Sequence, residues 1–250
     1  MTSPIEQFEI HTLTAPLFHV GASPVAFTSS AAWMIVAGTL CLGGMALALR
    51  KQALVPGRAQ AVVEALYDMI VDLVDNAAGE KSRPFFPFIF ALFLFIMACN
   101  LMGMMPHVLT VTSHLAVNLA LAGILFLVIF TTGLVRNGLG FFRLFLPPGV
   151  PMLLVPFMVL IELVSFLIRP FSLSMRLAAN MFAGHILMKV FAGMTAGLVA
   201  TMSGLAVVGI LPLVLNVAII GFEFFVALLQ AYIFAILSAV YLRDALEVHH

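Results

Sequence analysis

Arg176, His185 and Glu223 carry titratable or charged groups through sequence that is otherwise apolar for many positions on either side. An ionised side chain at the centre of a bilayer costs roughly 2.5–3.5 kcal/mol on insertion scales, so each such residue needs a reason. Arg176 lies in Ser172-Leu-Ser-Met-Arg-Leu-Ala-Ala-Asn180, with no acid within four residues to neutralise it. A guanidinium keeps its charge because its pKa lies above about 12, so Arg176 cannot relay a proton. It can attract a carboxylate from another helix or another chain and favour the ionised form of that carboxylate. Asn180 follows one turn later on the same face, placed to hydrogen-bond the guanidinium. His185 is nine residues beyond Arg176, about 900° around a helix, and therefore faces the opposite way. Histidine titrates near neutral pH, which suits either a proton relay or a satisfied structural residue. Asn216, Glu223 and Gln230 recur every seven residues. Seven residues fall about 20° short of two turns, so the three form one polar stripe about 21 Å long. The stripe is either a polar seam between packed helices or a wet proton path with Glu223 as its titrating member.

The elements that hold these residues follow from composition. Of 250 residues 63% are hydrophobic and 9% charged, with mean hydropathy +1.18. Soluble domains carry about 45–50% apolar and about 25% charged residues. A soluble enzyme, a nucleic-acid binder and a disordered chain are thereby excluded, and the 11 basic and 11 acidic residues leave no bulk charge for nucleic acid. The expectation is an all-α integral membrane protein with about five crossings, forming a single membrane domain over 1–250. Residues 1–49 contain no Lys or Arg, and Glu6 and Glu9 come first, so 1–25 is read as an outside segment and 26–49 as a retained span rather than a signal peptide. Over 59–77, Glu64, Asp68, Asp72 and Asp75 share one helical face, apart from Val62, Leu66, Ile70 and Leu73. That is a surface amphipathic helix whose acidic face is either solvated or docked on a partner. Residues 86–135 form a transmembrane hairpin, about 86–105 and 115–135, with His107 in its loop; from Pro84 to Val135 there is no charged residue.

The last hundred residues hold two runs, 150–200 and 205–242, each longer than one perpendicular span. Either each folds into two short spans or each is one strongly tilted helix. The lack of a turn within 171–192 and 213–242 favours long tilted helices, kinked at Pro170 and Pro212. Arg169 lies two turns beyond Glu162 and either pairs with it or belongs to an ion path; Lys189 either does likewise or reaches an aqueous edge. Arg50, Lys51, Arg58, Lys81 and Arg83 follow the first span, which puts the N-terminus outside and the C-terminus inside.

Other chemistries lack their residues. Only His185 lies deep in a long run, so facing histidines for a haem are missing. No Gly-rich phosphate loop is present, so no nucleotide is hydrolysed by this chain. Cys41 and Cys99 read as small buried hydrophobes. No cofactor, no metal and no catalytic site of the chain's own are expected.

Ser172-Leu-Ser-Met-Arg-Leu-Ala-Ala-Asn-Met-Phe-Ala-Gly-His185 resembles the signature of the a-subunit family of F-type ATP synthase membrane sectors. Asn100-Leu-Met-Gly-Met-Met-Pro106, Thr112-Ser-His-Leu-Ala-Val-Asn118, Leu229-Gln-Ala-Tyr-Ile-Phe234 and Tyr241-Leu242 resemble further family stretches. The resemblance implies a stator subunit with two aqueous half-channels beside a rotating c-subunit ring. It implies that Arg176 faces the ring carboxylate, with Asn180 and Gln230 as polar residues near it. It makes His185 and Glu223 a relay pair, in the histidine-first order of mitochondrial members and their bacterial relatives. Asn216, Glu162, Asn100, Asn118 and Tyr241 join the proton path by the same resemblance. Ser113-His114 stands where the family has an acid, and His114 is read as a mouth residue. The implied partners are the c-ring carboxylate, the peripheral-stalk b subunits, the lipid bilayer and, indirectly, the soluble ATPase sector. The implied location is the bacterial inner membrane, N-terminus periplasmic and C-terminus cytoplasmic. A secondary proton-coupled transporter is the alternative, and would show a central solute pocket; a membrane protein serving assembly alone comes third.

Overall fold

The structure is a computed structural model and describes residues 12–14, 18–20, 23–50, 53, 55–105, 108–146, 151–200 and 209–246. Most of the segment 1–25, the loop residue His107 and the C-terminal His250 lie outside the described residues or have undescribed side chains. A small antiparallel ribbon, β1 (Phe18–Val20) and β2 (Ser23–Val25), precedes the helices.

Six helices follow. Five are long and apolar enough to cross a membrane: α1 (Ser29–Ala48), α3 (Phe86–Gly103, preceded by a 3-10 turn from Glu80), α4 (Leu115–Asn137), α5 (Val155–Ala200) and α6 (Ile210–Leu246). α1 and α3 are apolar all round, as a helix surrounded by lipid or protein must be. α2 (Arg58–Ala78) differs in kind. It buries Ile70, Leu73, Val74 and Ala78 along one edge and exposes Glu64, Asp68 and Asp72. Val62 is exposed rather than buried, and the buried hydrophobic residues of the helix all fall in its C-terminal half. α2 stops at Gly79, whose φ of 72° is open to glycine at little cost and whose N–H donates to the carbonyl of Asp75.

α5 and α6, of 46 and 37 residues, are single helices and not pairs of short spans. At 1.5 Å per residue α5 is about 69 Å long, well over the hydrocarbon thickness of about 30 Å. Pro170 lies inside α5, and Ser174 Oγ donates back to its carbonyl at 2.7 Å or across to the carbonyl of Asn118 at 3.0 Å. Pro212 was expected to kink α6. It falls instead in the first turn, where its missing N–H would have had no partner inside the helix.

The chain divides into two compact units. The first comprises the described residues of 1–42, 95–114 and 177–230. Its core includes Ala37, Ala98, Cys99 and Met102, with Trp33, Cys41 and Phe95 packed against them. Cys41 is half-buried and Cys99 buried in this unit. The second comprises 43–94, 115–176 and 231–246. It is organised around fully buried Phe141, whose ring meets Phe130 edge-on at 5.6 Å and lies 6.3 Å from Phe166. Asn137 caps this unit by donating to the carbonyl of Ala245 at 2.8 Å.

Candidate functional site

In the first unit, α5 and α6 bring His185 and Glu223 together. His185 Nε2 lies 3.7 Å from Glu223 Oε1, and the two side chains are 9% and 4% exposed. Gly184 makes that approach possible, because a Cβ there would sit 2.6 Å from Glu223 Oε1. A titratable acid and base so placed can exchange a proton through one water or after a small closure. The rest of the Asn216–Glu223–Gln230 stripe is polar and largely enclosed. Asn216 Oδ1 and Gln230 Nε2 are buried atoms without a hydrogen-bond partner among the described residues. Asn100, fully buried on α3, donates to the carbonyl of Ala227 at 3.1 Å and leaves its Oδ1 without a partner. Buried polar atoms are ordinarily satisfied, and a water is the group that fits where protein supplies none.

Asn180 Nδ2 donates to Gln230 Oε1 at 3.1 Å, across a separation of 50 residues. Thr110 is a further member that the motifs do not mark: its hydroxyl lies 3.0 Å from His185 Nε2. Only a tertiary structure reveals it, since Thr110 is 75 residues away in a loop. His114 closes the same loop, half-buried, and burial holds its imidazole below the usual histidine pKa; its Nε2 is buried without a partner among the described residues. Lys189, one turn after His185, is half-exposed.

The second unit holds the remaining candidates. Arg169 pairs with Asp244 at 3.0 Å and Glu162 at 3.6 Å, and its guanidinium lies 4.9 Å from the Tyr241 ring centre. Glu162 and Tyr241 therefore gather round Arg169. The Glu162 pairing was readable two turns along one helix, whereas Asp244, 75 residues away, was not. Asn118 is fully buried where α4 meets Ser174. Arg176 is exposed on α5 and has no ion-pair or hydrogen-bond partner among the described residues.

The family model described as ATP synthase A chain matches residues 31–243. The chain is also similar to proteins named ATP synthase subunit a from three bacteria. Identity is 44% over 257 residues with that of Maricaulis maris, covering all of this chain and 99% of the relative. It is 46% over 254 residues with that of Afipia carboxidovorans, covering both chains fully. It is 43% over 249 residues with that of Pelagibacter ubique, covering all of this chain and 99% of the relative. The chain belongs to the ATP synthase A chain family. It is a membrane-embedded proton-transport subunit serving ATP synthesis, and this membership takes the place of the transporter alternative. The long apolar helices suit a membrane-embedded member of that family.

Proposed function

We propose that this chain is a stator subunit that couples proton flow to the rotation of a c-subunit ring, acting as a single membrane domain in the bacterial inner membrane. The observation that carries the reading is the buried His185–Glu223 pair, flanked by buried polar atoms without a hydrogen-bond partner among the described residues. Protons enter one half-channel, pass His185 and Glu223, and load a ring carboxylate. The ring carries the neutral carboxyl through lipid. Arg176, exposed and without an ion-pair or hydrogen-bond partner among the described residues, draws the carboxylate into its ionised form on arrival, and the proton leaves by the second half-channel. Asn216 and Asn100 line the path, Asn180 and Gln230 supply a bonded polar pair, and His114 stands at a mouth. Asn118, Glu162 and Tyr241 complete the polar set, with Glu162 held ready by Arg169. The b subunits of the peripheral stalk hold the chain against the ring's torque. The basic residues of 50–83 support an orientation with the N-terminus in the periplasm and the C-terminus in the cytoplasm.

ATP-driven proton pumping in inverted vesicles tests this. Glu223→Gln and His185→Ala are each expected to slow pumping by about 100-fold, the scale of a lost general acid or base. Unchanged pumping in both variants, with the complex assembled, would refute the relay.

A further inference from the structure

Thr110 has no part in the reading above, yet its side chain is built into the centre of the relay. It is 4% exposed. Its hydroxyl lies 3.0 Å from His185 Nε2 and donates to the carbonyl of Gly103 at 3.2 Å. Gly103 is the last residue of α3, so its carbonyl has no partner inside the helix and accepts from outside. The loop that carries Thr110 is fixed in turn by Ser113, whose Oγ donates to the Thr110 carbonyl at 2.6 Å.

An imidazole nitrogen has one in-plane position, an N–H or a lone pair, and can make one good hydrogen bond there. Two groups compete for it at Nε2. Thr110 is at hydrogen-bond distance, while Glu223 at 3.7 Å is beyond it. The ring in this state is therefore held by Thr110 and kept off Glu223. A hydroxyl suits that task in both protonation states. When Nε2 carries a proton it donates to Thr110 Oγ, whose own proton points at Gly103. When Nε2 is bare, the hydroxyl rotates and donates to it. When the ring turns to Glu223, Thr110 still has the Gly103 carbonyl and is not stranded.

We propose that Thr110 is a positioning residue for the relay, holding His185 Nε2 away from Glu223 between proton transfers. The proposal rests on the relay reading of His185 and Glu223. In a transfer the ring leaves Thr110, the O–H bond of Glu223 breaks and an N–H bond forms at Nε2, leaving a carboxylate beside an imidazolium. The reverse transfer breaks that N–H and restores the acid. The O–H bond of Thr110 survives throughout. Without the hydroxyl, Nε2 settles on Glu223 as a lasting ion pair and the acid reloads slowly.

Two substitutions separate this role from packing. Thr110→Val keeps both branches of the side chain and removes the hydroxyl. Thr110→Ser keeps the hydroxyl and removes the methyl that packs on Gly103, where a Cβ would lie 2.7 Å from Thr110 Cγ2. With equal amounts of assembled complex in inverted vesicles, Thr110→Val is expected to slow ATP-driven pumping about tenfold, the weight of one buried hydrogen bond. Thr110→Ser is expected to keep most of the rate. Pumping at the unmodified rate in Thr110→Val, or an equal loss in Thr110→Ser, overturns the proposal. Glu223→Gln in parallel distinguishes the failures: if it alone is slow, the relay stands and Thr110 has no part in it, and if it too pumps normally, the relay and the proposal fall together.

Discussion

Arg169 and Arg176 stand two turns apart on α5, almost in line along the helix, and meet opposite circumstances. Arg169 is neutralised inside its own chain by Asp244 and Glu162 and lies over the Tyr241 ring. Arg176 is exposed and has no such partner among the described residues. A permanent cation in an apolar helix must be compensated somewhere. Where the compensation is internal, the residue clamps helices together. Where it is left open, as at Arg176, the proposed role is to meet a charge that arrives and departs. Arg83 is a third case, outside the spans: it holds Asp75 at 3.1 Å in the open, where water screens the pair.

Substitutions at Arg176, at Arg169 and at Asp75, the partner of Arg83, should therefore fail in different ways. The largest effect is expected for Arg176→Lys, which keeps the charge but loses the planar fork and can itself shed a proton when desolvated. ATP synthesis in energised vesicles should fall about 10- to 100-fold, the weight of a charge-assisted hydrogen bond. A rate near normal would mean that charge alone suffices at Arg176. Next comes Arg169→Gln, which leaves Glu162 and Asp244 without their shared cation. The cluster is part-exposed, so a loss of about 1–3 kcal/mol is expected, between surface and buried ion pairs. It should appear as a lower unfolding temperature of the solubilised complex, with coupling less affected than by Arg176 variants; the opposite ranking would break the contrast.

The smallest effect belongs to Asp75→Asn. The hydrogen bond from Arg83 holds the Asp75 carboxyl below its ordinary value, so the folded form is favoured wherever the carboxyl is ionised. That contribution is present above about pH 3.9 and is lost as pH falls through the lower folded value. Hydrogen exchange of residues 79–85, corrected for intrinsic rates, should rise on acidification in the unmodified protein and not in Asp75→Asn. A rise of the same size in both would remove Asp75 from the account.

What could be read from residue spacing was whatever a single helix displays along its own length. The seven-residue stripe of Asn216, Glu223 and Gln230 and the two-turn reach from Glu162 to Arg169 are of this kind, because helical period alone sets them. Apolar run length likewise marked the five long helices. Pairings made between separate elements were hidden. Asp244 on Arg169, Gln230 on Asn180 and Thr110 on His185 depend on packing register across 50 to 75 residues, which no local pattern encodes. Asn180 shows the difference well: its spacing pointed along α5 to Arg176, while the bond its Nδ2 donates to Gln230 on α6 could not be read from spacing. The ribbon at 18–25 was missed because strands of three residues carry too little alternation to be seen.

The central claim is that Arg176 gates an arriving carboxylate and does not itself carry protons. A pair 4 Å apart gains about 4 kcal/mol at an effective dielectric of 20, enough to lower the partner's pKa by up to about three units before desolvation takes some back. The most direct measurement compares two proton fluxes in the same inverted vesicles carrying Arg176→Ala: pumping driven by ATP, and passive flux driven by an imposed pH gradient with the soluble sector stripped off. Pumping should vanish, while passive flux should persist or rise because no fixed positive charge separates the two paths. Pumping near the rate of the unmodified protein would contradict the account.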